Sequence, residues 1–211
     1  MSRKRAAPIV RYRFVERAVH VVAAIVFLYA LLSGLAFWTP ALYWMATLLG
    51  GGFLARMLHP WSGLVLFAIV IWMLALWHRD MRTTDVDRTW RKSMLRYMRN
   101  EDRDLVAVGR FNYGQKVFFW TMVWGLAALV VSGVVLWFPD VIPRTANAVR
   151  LLALLIHAVA ALIVIGAFIV HVYMGVFVVP GSVDAIVRGT VTPEWARHHH
   201  GAWAEEIDRP R

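Results

Sequence analysis

His20, His59, His157 and His171 each lie inside a long apolar stretch that contains no Lys, Asp or Glu. An ionisable side chain at membrane depth is costly, so such a residue marks a functional site by default. Neutral imidazole is a common metal ligand and the usual axial ligand of a haem iron. His157 and His171 are 14 residues apart in one stretch. On a helix that spacing is about 40° short of four turns and ~21 Å along the axis. Both therefore point to nearly the same face at two depths. Four such ligands suffice for two bis-histidine haems stacked across a bilayer. Other chemistries fit less well. A structural zinc needs a compact tetrahedral cluster, and an intramembrane proton relay uses carboxylates. A single intramembrane histidine can also simply bond two helices together, but four in this pattern are harder to explain that way.

The composition agrees with a membrane setting. Of the 211 residues 60% are hydrophobic and 17% charged, with a net charge of +10. A basic balance can signal nucleic acid or anionic lipid; the apolar runs here favour lipid, with no nucleic-acid partner. The absence of cysteine excludes disulfides, Cys-ligated iron–sulfur clusters and covalently attached c-type haem. Any redox centre is therefore held by histidine or methionine, without a thioether link.

Four segments are long and apolar enough to span a bilayer: 18–38, 53–77, 117–138 and 151–179. The first follows a basic N-terminus. At about 21 residues it exceeds the ~7–15 residues of a signal-peptide core, so it is expected to remain as a membrane helix. The fourth is long for a ~30 Å core and should tilt or protrude; Pro180-Gly181 ends it. These segments predict an all-α membrane protein: one domain over 1–211, a bundle of four transmembrane helices binding two b-type haems, with a loop at 78–116 and a tail at 180–211.

The loop charges predict its orientation. Residues 1–17, 78–116 and the tail carry 20 of the 23 Lys and Arg residues, while 39–52 and 139–150 hold only Asp140, Arg144 and Arg150. The positive-inside rule then puts both termini and the long loop in the cytoplasm, in a multi-pass protein of the bacterial inner membrane. Trp38, Trp44, Trp61, Trp77 and Trp137 fall near the predicted ends, where indole favours the interface, although packing between helices accounts for any one of them as well. With this orientation, depth pairs His59 with His157 near the periplasm and His20 with His171 near the cytoplasm.

Several further residues have two readings. Arg56 lies one turn before His59 on the same face, and either contacts a haem propionate or reaches the periplasmic surface. Gly63, Gly125, Gly133 and Gly166 allow close approach of helices or a macrocycle. Thr89–Asn100, with Trp90, Met94, Tyr97 and Met98 at helical spacing, predicts an amphipathic helix lying on the membrane or docking a partner. His78 and His198, His199 and His200 read as surface groups or a partner contact, with metal binding as the alternative. The segment Arg110-Phe-Asn-Tyr-Gly-Gln-Lys116 reads most simply as a turn and helix cap; the functional reading is a polar pocket in which Asn112 and Gln115 meet quinone carbonyls.

The chain resembles the cytochrome b (gamma) subunits of respiratory formate dehydrogenases over nearly its whole length. The resemblance is carried by the four histidines, by Arg110–Lys116, by His171-Val-Tyr-Met-Gly175, by Gly181-Ser…Asp184…Arg188-Gly189…Val191-Thr192, and by Trp195-Ala-Arg-His-His-His-Gly-Ala-Trp203. It implies an electron-transfer subunit in which no residue acts on formate. A catalytic alpha subunit holding molybdenum or tungsten oxidises formate, and an iron–sulfur beta subunit delivers the electrons at the periplasmic side. A quinone, menaquinone or ubiquinone, is reduced near the cytoplasmic side, in a pocket that maps to Asn112, Gly114, Gln115 and His171. Membrane lipid surrounds the complex, with a higher oligomer of the complex as an option. The competing reading is the cytochrome b subunit of a membrane-bound hydrogenase or of another periplasmic oxidoreductase.

Overall fold

A computed structural model describes residues 7–101, 105–138 and 147–209. Arg3, Lys4, Arg5, Arg103, Asp140, Arg144 and Arg211, part of the charge pattern above, lie outside the described residues. In chain order come strand β1 (Ile9–Val10), helices α1 (Phe14–Trp38), α2 (Trp44–Leu48), α3 (Gly52–Trp77), α4 (Asp85–Trp90), α5 (Met94–Met98), α6 (Tyr113–Trp137), α7 (Asn147–Tyr173) and α8 (Ser182–Val187), strand β2 (Thr190–Val191), and helices α9 (Pro193–His199) and α10 (Gly201–Asp208).

Four helices are long and apolar enough to cross a membrane: α1, α3, α6 and α7, the last continued by a wider turn through Val178. They match the four expected spans, and all four start earlier than hydropathy suggests, three of them by four residues. α1 begins at Phe14 because Glu16 returns to the helix start, accepting the backbone N–H of Arg13 at 2.8 Å. Large apolar side chains such as Ile25, Val131, Leu155 and Ile163 are exposed. In water that would be a liability, but a helix apolar all round is what lipid contact requires.

The chain divides into two compact units. One contains Val19–Ala75 and Thr121–Ala167, the middle portions of the four long helices. Within it α6 and α7 pack so closely that a Cβ on Gly125 would lie 2.5 Å from a Val164 methyl, whereas Gly63 and Gly166 have open space beside them. Of the four glycines expected to allow close approach, Gly125 and Gly133 do so. Trp61 and Trp137 meet edge to face at 5.1 Å, joining α3 to α6. Pro60 lies inside α3 and lacks an N–H for the Arg56 carbonyl one turn back. Gly50 and Gly51, at φ +87° and +100°, make the turn from α2 into α3 that other residues adopt only with strain.

The other unit holds the residues through Ala18, Leu76–Trp120 and the chain from Phe168 on. β1 and β2 pair antiparallel, Ile9 with Val191 and Val10 with Thr190. The segment expected as one amphipathic helix over Thr89–Asn100 is instead α4, a short 3₁₀ turn and α5. A capping box between Thr84 and Asp87 starts it earlier, and Asn100 at φ +63° ends it. Its apolar face is used within the chain: Trp90 and Tyr97 are buried with Val108, Val178 and Val179. That face does not lie on the membrane or await a partner.

Lys116 and Asp87 form a buried ion pair at 2.7 Å, and Lys116 also donates to the Arg82 carbonyl at 2.9 Å. Removing one partner strands the other charge. Lys116→Met should therefore cost about 3–5 kcal/mol, visible as a lower melting temperature of the purified protein; an unchanged melt would contradict this role.

The tail is held by a second buried cation. The Arg11 guanidinium lies 4.6 Å from the Trp203 ring centroid and 5.4 Å from that of Phe111, donates to the Arg110 carbonyl, and sits 3.3 Å from His200 Nε2. Because an arginine only donates, His200 Nε2 accepts, and its Nδ1–H donates to the Gly109 carbonyl at 2.9 Å. His200 is thus a buried, neutral core residue rather than a surface group. Burial, and then the Arg11 charge, push its pKa well below the ordinary 6.5. The unfolded chain takes up this proton near pH 6.5 while the folded chain does not, so stability falls as pH drops below that value. Thermal melts from about pH 7.5 to 5 should show a slope approaching about one proton, absent in His200→Gln. Equal slopes in the two proteins would refute the assignment.

Candidate functional site

Two of the four intramembrane histidines face each other. His59 on α3 and His157 on α7 have ring centroids 6.4 Å apart with an interplanar angle of 63°. Each ring is gripped from a neighbouring helix. Ser33 Oγ on α1 lies 2.8 Å from His59 Nδ1, and Ser132 Oγ on α6 lies 3.1 Å from His157 Nδ1. With both Nδ1 atoms occupied, Nε2 is the nitrogen left for a metal.

A fit test follows from bond lengths. Two imidazoles on opposite sides of one metal, each bonded at about 2.0–2.1 Å with its centroid about 1.1 Å behind the nitrogen, have centroids about 6.3 Å apart. The observed 6.4 Å agrees, and the donor set of two neutral imidazoles suits haem iron. Among the described residues no cluster of three or more His, Asp or Glu side chains is placed to hold a metal ion.

Beside this pair, Ala36, Phe37, Thr39, Pro40, Tyr43 and Arg56 line an open cleft of about 660 Å³. Phe37 also meets the His59 ring edge-on at 5.7 Å, so Arg56 shares a cleft with a residue that touches the histidine.

His20 is half-buried on α1 and belongs with His59 and His157 to the unit of helix middles; His171 belongs to the other unit. Within that second unit, His171 stacks flat on Phe118 of α6, centroids 4.4 Å apart at 9°. One turn and a half earlier in the chain, the start of α6 carries the residues expected as a quinone pocket. Asn112 is buried. Its backbone N–H donates to Gln115 Oε1 at 2.9 Å, and the Gln115 N–H donates to Asn112 Oδ1 at 3.0 Å. This reciprocal pair is the helix cap that the simplest reading predicted. It occupies both side-chain oxygens and leaves the amide NH₂ groups as the donors each residue can offer a ligand. A Cβ on Gly114 would lie 3.4 Å from Asn112 Oδ1 and 3.7 Å from the Trp90 ring, so glycine leaves that space open.

Arg110, at the head of the same segment, anchors it. It pairs with Glu16 at 2.6 Å and with Asp80 at 3.0 Å. Burial opposes its charge, but these carboxylates outweigh burial and raise its pKa. Trp77 donates its indole N–H to the same Glu16 carboxylate at 2.6 Å, so this tryptophan is a buried strut and not an interfacial anchor. His78 is exposed, as expected.

Sequence reasoning missed Ser33, Gly34, Ser132, Phe118, and the Arg11–His200 contact. For the serines a signal existed: Ser-Gly followed by Trp four residues after the glycine occurs at both 33–38 and 132–137. For the others no local pattern distinguishes them.

Comparison with known proteins gives the site a context. Residues 11–189 match the family described as prokaryotic cytochrome b561. The chain is 38% identical to the formate dehydrogenase cytochrome b556(fdo) subunit of Escherichia coli K12, over 97% of this chain and 95% of that one. It is 33% identical to the nitrate-inducible cytochrome b556(Fdn) subunit of the same organism, over 95% and 92%. It is 31% identical to the formate dehydrogenase cytochrome b556 subunit of Haemophilus influenzae, over 94% and 83%.

Proposed function

Because the chain belongs to the prokaryotic cytochrome b561 family, as a multi-pass inner-membrane cytochrome b subunit of the formate dehydrogenase type, we propose that it binds two haems b and carries electrons from an iron–sulfur partner at the periplasmic side to a quinone reduced near the cytoplasmic side. The observation that carries this reading is the 6.4 Å approach of His59 and His157, the spacing of two axial ligands. His20 and His171 are the ligands of the second haem, an assignment supported by helical phase and by depth from the loop charges. Both termini and the loop 78–116 then face the cytoplasm.

Bound haem supplies one-electron chemistry, and the chain supplies placement and tuning. His59 and His157 would hold one haem between α3 and α7, and Arg56, which lines the open cleft, would meet a propionate. The exposed apolar faces keep the site within lipid. At the other end Asn112 and Gln115 offer amide donors to a quinone carbonyl, Gly114 leaves it space, and His171 borders it. The partners are an iron–sulfur beta subunit and a catalytic alpha subunit that oxidises formate at molybdenum or tungsten, and the names of the relatives favour these over a hydrogenase.

The test uses membranes containing the whole complex. Formate should reduce the b-type absorption band, and an added quinone analogue should reoxidise it. A band that dithionite reduces but formate does not would overturn the assignment to formate dehydrogenase.

A further inference from the structure

The facing histidines are held by a repeated device. α1 and α6 are each 25 residues long, and each ends in Ser-Gly-x-x-x-Trp, at Ser33–Trp38 and Ser132–Trp137. Each serine hydroxyl contacts Nδ1 of a histidine on the next long helix, Ser33 with His59 at 2.8 Å and Ser132 with His157 at 3.1 Å. Each glycine clears the same ring: a Cβ on Gly34 would lie 3.2 Å from His59 Cε1, and one on Gly133 would lie 3.3 Å from His157 Cε1. Two helices far apart in sequence thus present one hydroxyl and one gap to one imidazole each.

The hydroxyl hydrogen bonds decide the tautomer. A serine hydroxyl has one proton to donate. Ser33 Oγ donates to the Tyr29 carbonyl at 2.7 Å, with the Ala30 carbonyl at 3.1 Å. Ser132 Oγ donates to the Ala128 carbonyl at 2.6 Å, with the Leu129 carbonyl at 3.3 Å. With the proton spent on its own helix, each Oγ faces the ring as an acceptor. Nδ1 must then carry the hydrogen, and the Nε2 lone pair is left for a metal.

We propose that Ser33 and Ser132 are positioning residues that, with Gly34 and Gly133, lock both histidines as Nδ1–H ligands and set the redox potential of the haem held between them. The proposal rests on the haem reading above and extends it to what tunes the site. An Nδ1–H···O bond makes the imidazole a stronger electron donor through Nε2. A stronger donor favours ferric iron, so the serines lower the potential of this haem, and their loss raises it.

The experiment is an optical redox titration of the purified complex, with low-temperature EPR of the ferric haems. Ser33→Ala and Ser132→Ala should each shift the ferric/ferrous ratio of one haem about fivefold toward ferrous at a fixed potential, the effect of one neutral hydrogen bond. The g values of that haem should move and those of the other stay fixed. Ser33→Thr and Ser132→Thr keep the hydroxyl and should restore the wild-type potential. Unchanged potentials and g values in both Ala variants would overturn the proposal, as would Thr variants that shift as far as the Ala variants, since packing would then explain the change. Either failure, in a complex whose wild type shows two haems, leaves the haem reading standing; a wild type with no b-type band would sink that reading and this proposal together.

Discussion

His59→Ala removes one haem and leaves the other, and His157→Ala removes the same haem. The two rings belong to different helices and different ends of the sequence, yet they lie at the 6.4 Å expected of opposite ligands to one metal. Either change removes one of the two imidazoles that would hold that haem. Changes even to groups behind a metal ligand cost about 10–100-fold in affinity, so loss of the ligand itself should empty the site on purification. Neither change touches His20 or His171, and the second haem proposed there should keep its spectrum. Haem content per chain should therefore halve, with identical residual spectra in the two variants. Loss of both haems from either variant, or of neither, would contradict the pairing.

Asn112→Ala blocks quinone reduction while formate still reduces the haems. Two roles meet in this residue, and they separate chemically. Its Oδ1 caps α6 by accepting the Gln115 N–H, worth about 1 kcal/mol of helix stability. Its NH₂ is the donor available to a quinone carbonyl. Asn112→Asp keeps the capping oxygen and loses the amide donors. Both variants should lower quinone turnover by about 10–100-fold, the range for a buried hydrogen bond to a polar ligand group, and Asp should preserve the melting temperature better than Ala. Wild-type turnover in Asn112→Asp would remove Asn112 from the pocket and leave it as a cap.

The long helices were legible in the sequence because lipid imposes a simple rule: about 20 apolar residues in a row. Their starts were less so. Phe14–Ala18 reads as polar by hydropathy, but Glu16 is spent on the helix start, on Trp77 and on Arg110. Loop charges and depth alone suggest pairing His59 with His157, whereas the 6.4 Å between their rings depends on how α3 and α7 pack. The apolar face of residues 89–100 was also legible; its partner was not, because Val108, Val178 and Val179 come from distant parts of the chain. The same holds for His200. Three consecutive histidines in a charged tail read as solvent-facing, and only the aromatic rings brought around Arg11 bury one of them. Ser33 and Ser132 lay in plain view as a repeated pattern, but a serine in an apolar helix says nothing until the direction of its hydroxyl is known.

The proposed function requires two haems held by four histidines. The most direct measurement is the haem-to-chain ratio of the purified protein, from its dithionite-reduced minus oxidised spectrum and haem extraction. Two non-covalently bound haems b per chain are expected. A single haem would break the pairing of His20 with His171, and the absence of a b-type band would contradict the account as a whole.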